Sequence, residues 1–258
     1  MTDLKRVALV SFHGCPLIPV GEGKAGGMNV YVRELSRNLA KMGIQVDLFT
    51  RRHSAEVPEV ETLTQGARIV HVDGGPPEAD LGDAYLYLRR FLKDVLRFQA
   101  REGVQYDLVH SHYWLSGWVG TRLARQWGVP HLVNFHTLAK VKNQARVGEA
   151  EPLRRERAEK RAMVESQRVI AATPHERDAI VRLYRISPEK IEIVPCGVDL
   201  TVFHPLDQEA ARQKLCLGRE EVLLYVGRVE PLKNVELLLR TAAIMDGGHS
   251  GCQVLIIG

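Results

Sequence analysis

The sequence lacks any run of apolar residues long enough to cross a membrane, which would take about 18 uncharged residues or more. Its beginning, MTDLKRVALVSFHG, also lacks the small-residue cleavage site of a secretory signal peptide. No C-x-x-C pair is present, which argues against a zinc ribbon or a redox motif. We therefore expect a soluble, cytoplasmic protein whose scattered cysteines are free thiols: Cys15, Cys196, Cys216 and Cys252.

A strong charge imbalance is absent as well. The formal net charge is +4, and the basic residues between Lys140 and Arg161 are interleaved with glutamates. Such a mixture does not form the basic stripe of a nucleic-acid-binding surface, so no nucleic-acid partner is expected. With 258 residues, 45% of them apolar, the chain can bury a substantial core. A small anionic substrate is compatible with this charge.

Short apolar runs alternate with helical periodicity, which is typical of a parallel sheet covered by helices. Residues 29–43 and 83–103 carry the apolar stripes of amphipathic helices, and Gly43 and Gly103 are natural helix ends. The predicted fold class is therefore α/β, with a doubly wound parallel sheet. Its predicted strands are residues 6–12, 45–50, 68–72, 107–111, 131–135, 168–172 and 191–195.

A change in composition near residue 205 predicts a domain boundary. We assign residues 1–205 to a first domain and 206–258 to the beginning of a second, with a strand from Val222, a helix from about Asn234 and a last strand, QVLII. About fifty residues make only a marginal independent core. The sequence therefore favours the first βαβ portion of an incomplete domain over a small appendage packed against the first.

Gly21, Gly23 and Gly26 satisfy the G-x-G-x-x-G pattern of dinucleotide-binding folds. In those folds the first glycine follows the strand directly, and an acidic residue ends the next strand. Here eight residues, HGCPLIPV, intervene, and the second strand ends in two arginines. A dehydrogenase is therefore disfavoured. What remains is a loop that enters a helix through Gly26 and Gly27, where backbone N–H groups favour an anion; the alternative is a plain surface loop with a helix cap at Asn29.

His110 and His112 form an H-x-H pattern after the fourth predicted strand. No third ligand accompanies them at a recognisable spacing. We therefore predict no metal site, and no cofactor.

Five motifs resemble the retaining family 4 glycosyltransferases of the GT-B fold, and are similar to those of the D-inositol-3-phosphate glycosyltransferases and the sucrose-phosphate synthases. They are GGMNVYVRELSRNLAKMG, YDLVHSHYWLSGWVGTRLA, FHTLAKVKNQ, VPCGVDLTVFHP and YVGRVEPLKNVELLL. The resemblance covers essentially the whole chain. It implies a Rossmann-like acceptor domain followed by the start of a nucleotide-sugar-binding domain.

The activity that this resemblance implies is transfer of a sugar from a nucleoside-diphosphate sugar, with a UDP-sugar expected first, to a hydroxyl of a small acceptor, phosphorylated or not. A homodimer is compatible with it. The alternative is a non-catalytic phosphosugar-binding module or an inactive fragment. In the resembling enzymes a carboxylate-bearing motif and a nucleoside pocket come later in the second domain, beyond the position of Gly258.

The resemblance also implies roles for individual residues. Gly26 and Gly27 would approach the donor diphosphate through their backbone, while Arg228 and Lys233 would stabilise the charge of the departing diphosphate without a metal. His136 would lie beside the reacting sugar and complete the catalytic set with these two cations. The acceptor would be contacted by His13, Lys24, Met28, Asn29, Tyr113, Thr137 and Arg157.

Two points qualify the predicted acceptor site. Arg154 and Arg155 are neighbours that a one-residue gap could substitute for Arg157. The inositol-phosphate enzymes carry a lysine shortly after the third strand, where this chain reads GGPPEADLGDAYL. One phosphate contact of those enzymes is therefore missing here.

Overall fold

The computed structural model describes residues 4–19, 26–77, 79, 82–145, 150–246 and 252–258. The chain divides into two compact units. The first comprises Met1–Ala145 and Glu151–Cys196, and the second Arg146–Ala150 and Gly197–Gly258.

The first unit is built on an eight-stranded sheet with the order β3-β4-β2-β1-β5-β6-β7-β8. All neighbouring strands are parallel except β3 and β4, which pair antiparallel. The strands are β1 (Arg6–Val10), β2 (Gln45–Arg51), β3 (Val60–Thr64), β4 (Ala67–Val72), β5 (Leu108–His112), β6 (His131–Asn134), β7 (Arg168–Ala171) and β8 (Ile191–Ile193).

Helices connect most of these strands. The helices are α1 (Gly27–Lys41), α2 (Leu88–Glu102), α3 (Tyr113–Trp127), α4 (Ala139–Ala145), α5 (Leu153–Glu165) and α6 (Pro174–Tyr184). A 3-10 turn, Ala84–Tyr87, precedes α2, and the left-handed Gly103 ends that helix as predicted. The fold class is thus confirmed, and each of the seven predicted strands occurs; the antiparallel β3 was not predicted.

Alternate residues of the central strand supply both hydrophobic cores. Val7 and Leu9 pack on the face covered by α1, whereas Ala8 and Val10 pack on the opposite face, with Phe91 of α2. Both layers are needed because side chains alternate along a strand. Fully burying one such large apolar side chain contributes about 1.5–3 kcal/mol to the free energy of folding.

Asp47, in the middle of β2, is a buried acidic residue. Its carboxylate accepts hydrogen bonds from Arg6 Nη1 at 3.2 Å, Arg68 Nε at 2.5 Å and the Tyr106 hydroxyl at 2.7 Å. Because these three groups surround it within the sheet, Asp47 is a structural ion-pair partner. Its position in mid-strand also differs from that of the acidic residue that ends the second strand of dinucleotide-binding folds.

The sheet order places a topological switch at β1. The chain leaves β1 toward β2 through α1, and β5 pairs with the other side of β1 after the chain crosses back through α2. In doubly wound sheets the ligand crevice lies at the carboxyl ends of the strands on either side of such a switch. A ligand crevice is therefore expected beside the residues that follow β1, β5 and β6.

The second unit contains a two-stranded parallel sheet. Its strands β9 (Glu221–Val226) and β10 (Cys252–Ile257) pair in register from Glu221 with Cys252 to Val226 with Ile257. Helix α7 (Gln208–Lys214) precedes β9, and α8 (Val235–Asp246) lies between the strands. Among the helices that the structure describes, none combines the length and the apolar character needed to cross a membrane.

Candidate functional site

The loop after β1 is joined to the start of α1 by Asn29. Its Nδ2 donates to the Cys15 carbonyl at 2.8 Å, and its Oδ1 accepts from the Gly26 N–H at 3.3 Å. Gly14 has a φ of +94°, and a Cβ there would lie 3.0 Å from Met28 Cε and 3.1 Å from Asn29 Oδ1. The predicted acceptor residue Asn29 is therefore buried, and it holds the loop against the helix.

Gly26 and Gly27 have no close neighbours among the residues that the structure describes. A Cβ at either position would meet no described atom within 4 Å outside the residues next to it in sequence. Among the described residues, packing does not require glycine at these two positions. The predicted acceptor residue Lys24 lies outside the described residues, as do Gly21 and Gly23.

Three histidines and a tyrosine form a group at the ends of β5 and β6. His112 Nδ1 and His136 Nε2 lie 3.1 Å apart, within hydrogen-bond distance. The Tyr31 ring of α1 packs on both, with ring centroids 5.7 and 5.1 Å away. His110 Nε2 lies 2.6 Å from Asn134 Oδ1. Among the described residues His112 Nε2 finds no hydrogen-bond partner.

Burial keeps these imidazoles neutral. It lowers the pKa of His110 to about 4, against the opposing effect of the Asn134 hydrogen bond. It lowers the pKa of His136 to about 4 as well, and the nearby His110 adds to this. The pKa of His112 lies well below its usual value because of burial and of the two neighbouring histidines. At neutral pH the group can therefore exchange hydrogen bonds with a sugar hydroxyl but carries no positive charge.

Two predicted site residues have a left-handed backbone conformation, which residues other than glycine rarely adopt. Tyr113, the first residue of α3, has a φ of +76°, and His136, after β6, has a φ of +60°. Such conformations cost about 1–3 kcal/mol each and cluster at binding sites. They turn Tyr113 toward the His13 ring, 4.4 Å away, and bring His136 to His112.

Arg155 of α5 joins Tyr113 to Thr137. Its guanidinium lies 4.6 Å from the Tyr113 ring centroid, and its Nη2 donates to Thr137 Oγ1 at 2.9 Å. Its charge is balanced by Glu159 at 2.7 Å and Glu151 at 2.9 Å. Arg155 is only 2% exposed, whereas Thr137 is exposed. The buried Arg155 therefore holds Tyr113 and Thr137, two predicted acceptor residues, in position.

Glu159 anchors this network in the core. Its carboxylate also accepts from the Ala139 N–H at 3.1 Å and from the Tyr184 hydroxyl. Burial raises the pKa of Glu159, although Arg155 and Tyr184 act in the opposite direction. A carboxylate with this many donors can stay buried.

The three candidate arginines thus have different places. Arg155 contacts Thr137, Arg154 stacks on the Tyr85 ring at 4.1 Å, and Arg157 is exposed. The structure brings together His13, Met28, Asn29, Tyr113, His136 and Thr137 in the first unit, and it supplies Arg155 rather than Arg157 to that group. The role predicted for Arg157 stays a prediction.

Residues 25–202 match the sequence model of Glycosyltransferase Family 4. The chain belongs to glycosyltransferase family 4. It is 44% identical to the D-inositol 3-phosphate glycosyltransferase of Streptosporangium roseum over 94% of this chain and 57% of that protein. It is 45% identical to the enzyme of the same name from Frankia alni over 90% of this chain and 58% of that one. The chain thus spans less than two thirds of the length of these relatives.

Among solved structures, the family 4 chain is similar to the sucrose-phosphate synthase of Thermosynechococcus elongatus. The TM-score is 0.87 at 33% identity, covering 98% of this chain and 62% of that one. The resemblance inferred from the five motifs and the GT-B fold class are thereby confirmed. The dinucleotide pattern at Gly21 was not a sign of a dehydrogenase.

The second unit of this family 4 chain holds the two predicted diphosphate-binding cations. Arg228 follows β9 after one intervening residue, Gly227. It lies 3.3 Å from Glu230, and the Tyr225 hydroxyl donates to the Arg228 carbonyl at 2.7 Å. Lys233 ends the 3-10 turn Pro231–Lys233, before the left-handed Asn234 that leads into α8. Both cations are exposed at the carboxyl end of β9.

Sequence reasoning did not single out Tyr31 or Glu159. Tyr31 occupies a partly buried position of an amphipathic helix, and its spacing does not distinguish it from core residues. Glu159 was interpreted as one of several glutamates interleaved with basic residues. A charged residue four positions from Arg155 on a helix is a signal for an ion pair, but burial of that pair is decided by the packing of α5 on α3.

Proposed function

We propose that this chain supplies the acceptor-binding part of a retaining glycosyltransferase, with the acceptor a small phosphorylated polyol such as D-inositol 3-phosphate. The supporting observation is the Tyr113–Arg155–Thr137 group beside His136, at the carboxyl edge of the sheet. The Thr137 and Tyr113 hydroxyls, which the Arg155 guanidinium contacts, suit a phosphate, and a neutral imidazole suits a sugar hydroxyl. The names of the family 4 relatives favour the same acceptor.

The donor in this proposal is a nucleoside-diphosphate sugar, with a UDP-sugar tested first. Its diphosphate would meet the backbone N–H groups at Gly26 and Gly27 and the side chains of Arg228 and Lys233. The bond between the anomeric carbon and the diphosphate oxygen breaks. The acceptor oxygen forms its bond on the same face of the sugar, and its proton passes to the departing diphosphate. Residues 206–258 would form the beginning of the domain that holds this donor.

Arg155 would contribute to acceptor binding mainly by positioning Thr137 and Tyr113. Glu151 and Glu159 already balance its guanidinium, and Glu151 is also paired with Lys142. We therefore assign to Thr137 and Tyr113 the direct contacts, and to Arg155 the task of holding them in place.

Isothermal titration calorimetry of this chain tests the acceptor site. D-inositol 3-phosphate should bind, unphosphorylated inositol should bind much more weakly, and Thr137→Val should lower the affinity about tenfold because a hydrogen bond to a charged group is lost. Thr62→Val, at an exposed threonine of β3, is the matched control. Equal affinities for the two inositols would contradict a phosphate site.

A transfer assay with UDP-sugars and the same acceptor tests the reaction. The anomeric configuration of the product, read by NMR coupling constants, should be that of the donor. In an active protein that includes this chain, Arg228→Ala and Lys233→Ala should lower kcat about a hundredfold or more, as the loss of transition-state charge stabilisation does. Unchanged kinetics would remove the role given to these cations. Acceptor binding without transfer from any nucleotide-sugar would support the non-catalytic module instead.

A further inference from the structure

Three side chains of metal-binding type meet at the carboxyl edge of the sheet, outside the group described above. Cys15 lies in the loop after β1, His53 follows β2, and His71 lies on β4. One ligand atom of each lies within 4.8 Å of the other two. Cys15 and His71 are buried, and His53 is partly buried.

The spacing of two of these atoms fits a shared metal ion. Cys15 Sγ lies 3.5 Å from His71 Nε2. A tetrahedral zinc ion with a Zn–S bond of about 2.3 Å and a Zn–N bond of about 2.0–2.1 Å would hold these two atoms about 3.6 Å apart. The pair therefore needs almost no movement to bind zinc. The His53 ligand atom, which lies within 4.8 Å of the other two, would have to move closer to complete a third position.

A backbone hydrogen bond orients one of the two imidazoles. His71 Nδ1 lies 2.8 Å from the Pro58 carbonyl, so it carries the proton that it donates to that oxygen. The lone pair then lies on Nε2, which faces the sulfur of Cys15. A histidine that binds a metal through one nitrogen and donates from the other to a carbonyl is the usual arrangement in zinc sites.

The third imidazole has an unmet hydrogen-bonding atom. His53 Nδ1 is buried and finds no hydrogen-bond partner among the residues that the structure describes. Its ring centroid lies 5.5 Å from that of His71. Leaving a buried polar atom unpaired is unfavourable, and a ligand at this place would satisfy it.

The surrounding charges include one that favours a cation and one that opposes it. The negative charge of the Glu61 carboxylate acts to raise the pKa of both Cys15 and His71. Arg52 carries the opposing charge near His71, and its Nη1 donates to the Val57 carbonyl at 2.6 Å. The negative charges of a Cys15 thiolate and of Glu61 would together balance the charge of a divalent ion.

We propose that Cys15, His53 and His71 bind a zinc ion, with the fourth position taken by water. On binding, the Cys15 thiol releases its proton to solvent as the Zn–S bond forms. One thiolate and two imidazoles form a ligand set that zinc accepts readily. The ion would join the carboxyl ends of β1, β2 and β4. The Cys15 carbonyl accepts a hydrogen bond from Asn29, so the zinc ion would also fix the start of α1.

Zinc binding can be measured directly on this chain, with no activity assay. After chelator treatment and removal of the chelator, titration with Zn²⁺ against a chromogenic competitor should show one tight site per chain. Titration with Co²⁺ should give the near-ultraviolet charge-transfer absorption of a cobalt–thiolate bond. Both signals should be lost in Cys15→Ser and kept in Cys216→Ser, which changes an exposed cysteine.

A second variant guards against misfolding of the first. His53→Gln, at the partly exposed ligand, should weaken zinc binding at least tenfold and leave the circular dichroism spectrum of the metal-free protein unchanged. His175→Gln, at an exposed histidine, is its control. Zinc at the same concentration should also raise the melting temperature of the unmodified chain, and should raise it less or not at all in the two ligand variants. No tight site, or zinc binding that is equal in Cys15→Ser and Cys216→Ser, would overturn the proposal.

Discussion

At the scale of single residues, two glycines near the start of α1 are expected to respond differently to substitution. Gly14→Ala should lower the free energy of unfolding by about 1–3 kcal/mol, because its φ of +94° is unfavourable for any side chain and because the new Cβ would press on Met28 and Asn29. Urea denaturation followed by circular dichroism measures this. A loss smaller than the error of the fit would contradict the role of Gly14 as the close contact between loop and helix.

Gly27→Ala is the companion variant. The Cβ would meet no described atom outside the adjacent residues, and alanine is a better helix former than glycine, so stability should be unchanged or should rise by up to about 1 kcal/mol. Under the proposed function the same methyl group would hinder a diphosphate at the helix N-terminus, so the affinity for UDP-sugar should fall. A stable variant with unchanged affinity for UDP-sugar would contradict the role of the helix start in donor binding.

His136 offers a residue-scale test of the left-handed backbone. His136→Asn keeps a residue type that tolerates a φ of +60° while it removes the imidazole that lies 3.1 Å from His112. The melting temperature should change little, whereas transfer by an active protein that includes this chain should fall about a hundredfold. His136→Val, whose branched side chain does not tolerate that backbone, should lose stability as well. Equal melting temperatures for the two variants would argue against backbone strain at this position.

At the scale of elements, helix α5 depends on one buried ion pair. Arg155→Met should lower the free energy of unfolding by about 3–5 kcal/mol, because it leaves Glu159 buried without its cation. Arg157→Met, on the exposed face of the same helix, should change it by no more than about 0.5 kcal/mol.

The double variant Arg155→Met, Glu159→Leu distinguishes a lost attraction from an uncompensated charge. It should recover part of the stability, because no charge then remains unpaired. It should not recover acceptor affinity, since Thr137 and Tyr113 would still lack the guanidinium that contacts both. A double variant as unstable as the single one would show that the other donors to Glu159 matter more than the arginine.

At the scale of the whole molecule, buried histidines make stability depend on pH. The folded pKa values of His110 and His136 lie at about 4, below the ordinary value of 6.5, because burial disfavours the charged form. The unfolded chain therefore takes up protons first as the pH falls. Their contribution is fully present above pH 6.5 and is lost progressively as the pH falls toward about 4.

Urea titrations between pH 7 and pH 5, at constant salt, measure this loss. Each proton bound only by the unfolded chain contributes a slope of up to about 1.4 kcal/mol per pH unit. His110→Gln keeps an amide for the bond to Asn134 and should reduce the slope, while His175→Gln, at an exposed histidine, should keep it. A stability that does not change over this range would mean that these histidines are protonated in the folded protein too.

Much of this architecture is readable in the chain itself. Strands such as β1 and β2 are short apolar runs covered on both faces, so composition predicts them without knowledge of their partners. The helix ending at Gly103 is equally local, because only the left-handed backbone of that residue is needed. By contrast, β3 contains no buried residue, since Thr62 is exposed and the others are only partly buried, and only its antiparallel pairing with β4 makes it a strand. The motifs, together with the order of helices and strands, were enough to predict the family.

The tertiary structure decided which of these residues meet. Cys15 and Asn29 both come after β1 in the sequence. The hydrogen bond from Asn29 to the Cys15 carbonyl forms only because of the way α1 packs on the sheet. Arg155, Thr137 and Tyr113 come from α5, the end of β6 and the start of α3, and the choice of Arg155 over Arg157 depends on which face of α5 is buried. Cys15, His53 and His71 are separated along the chain by lengths that match no metal motif. They converge because parallel strands end at one edge of the sheet. Local sequence determines strands, helices and their ends, since these depend on neighbouring residues; contacts between distant residues depend on the sheet order, which only the folded chain defines.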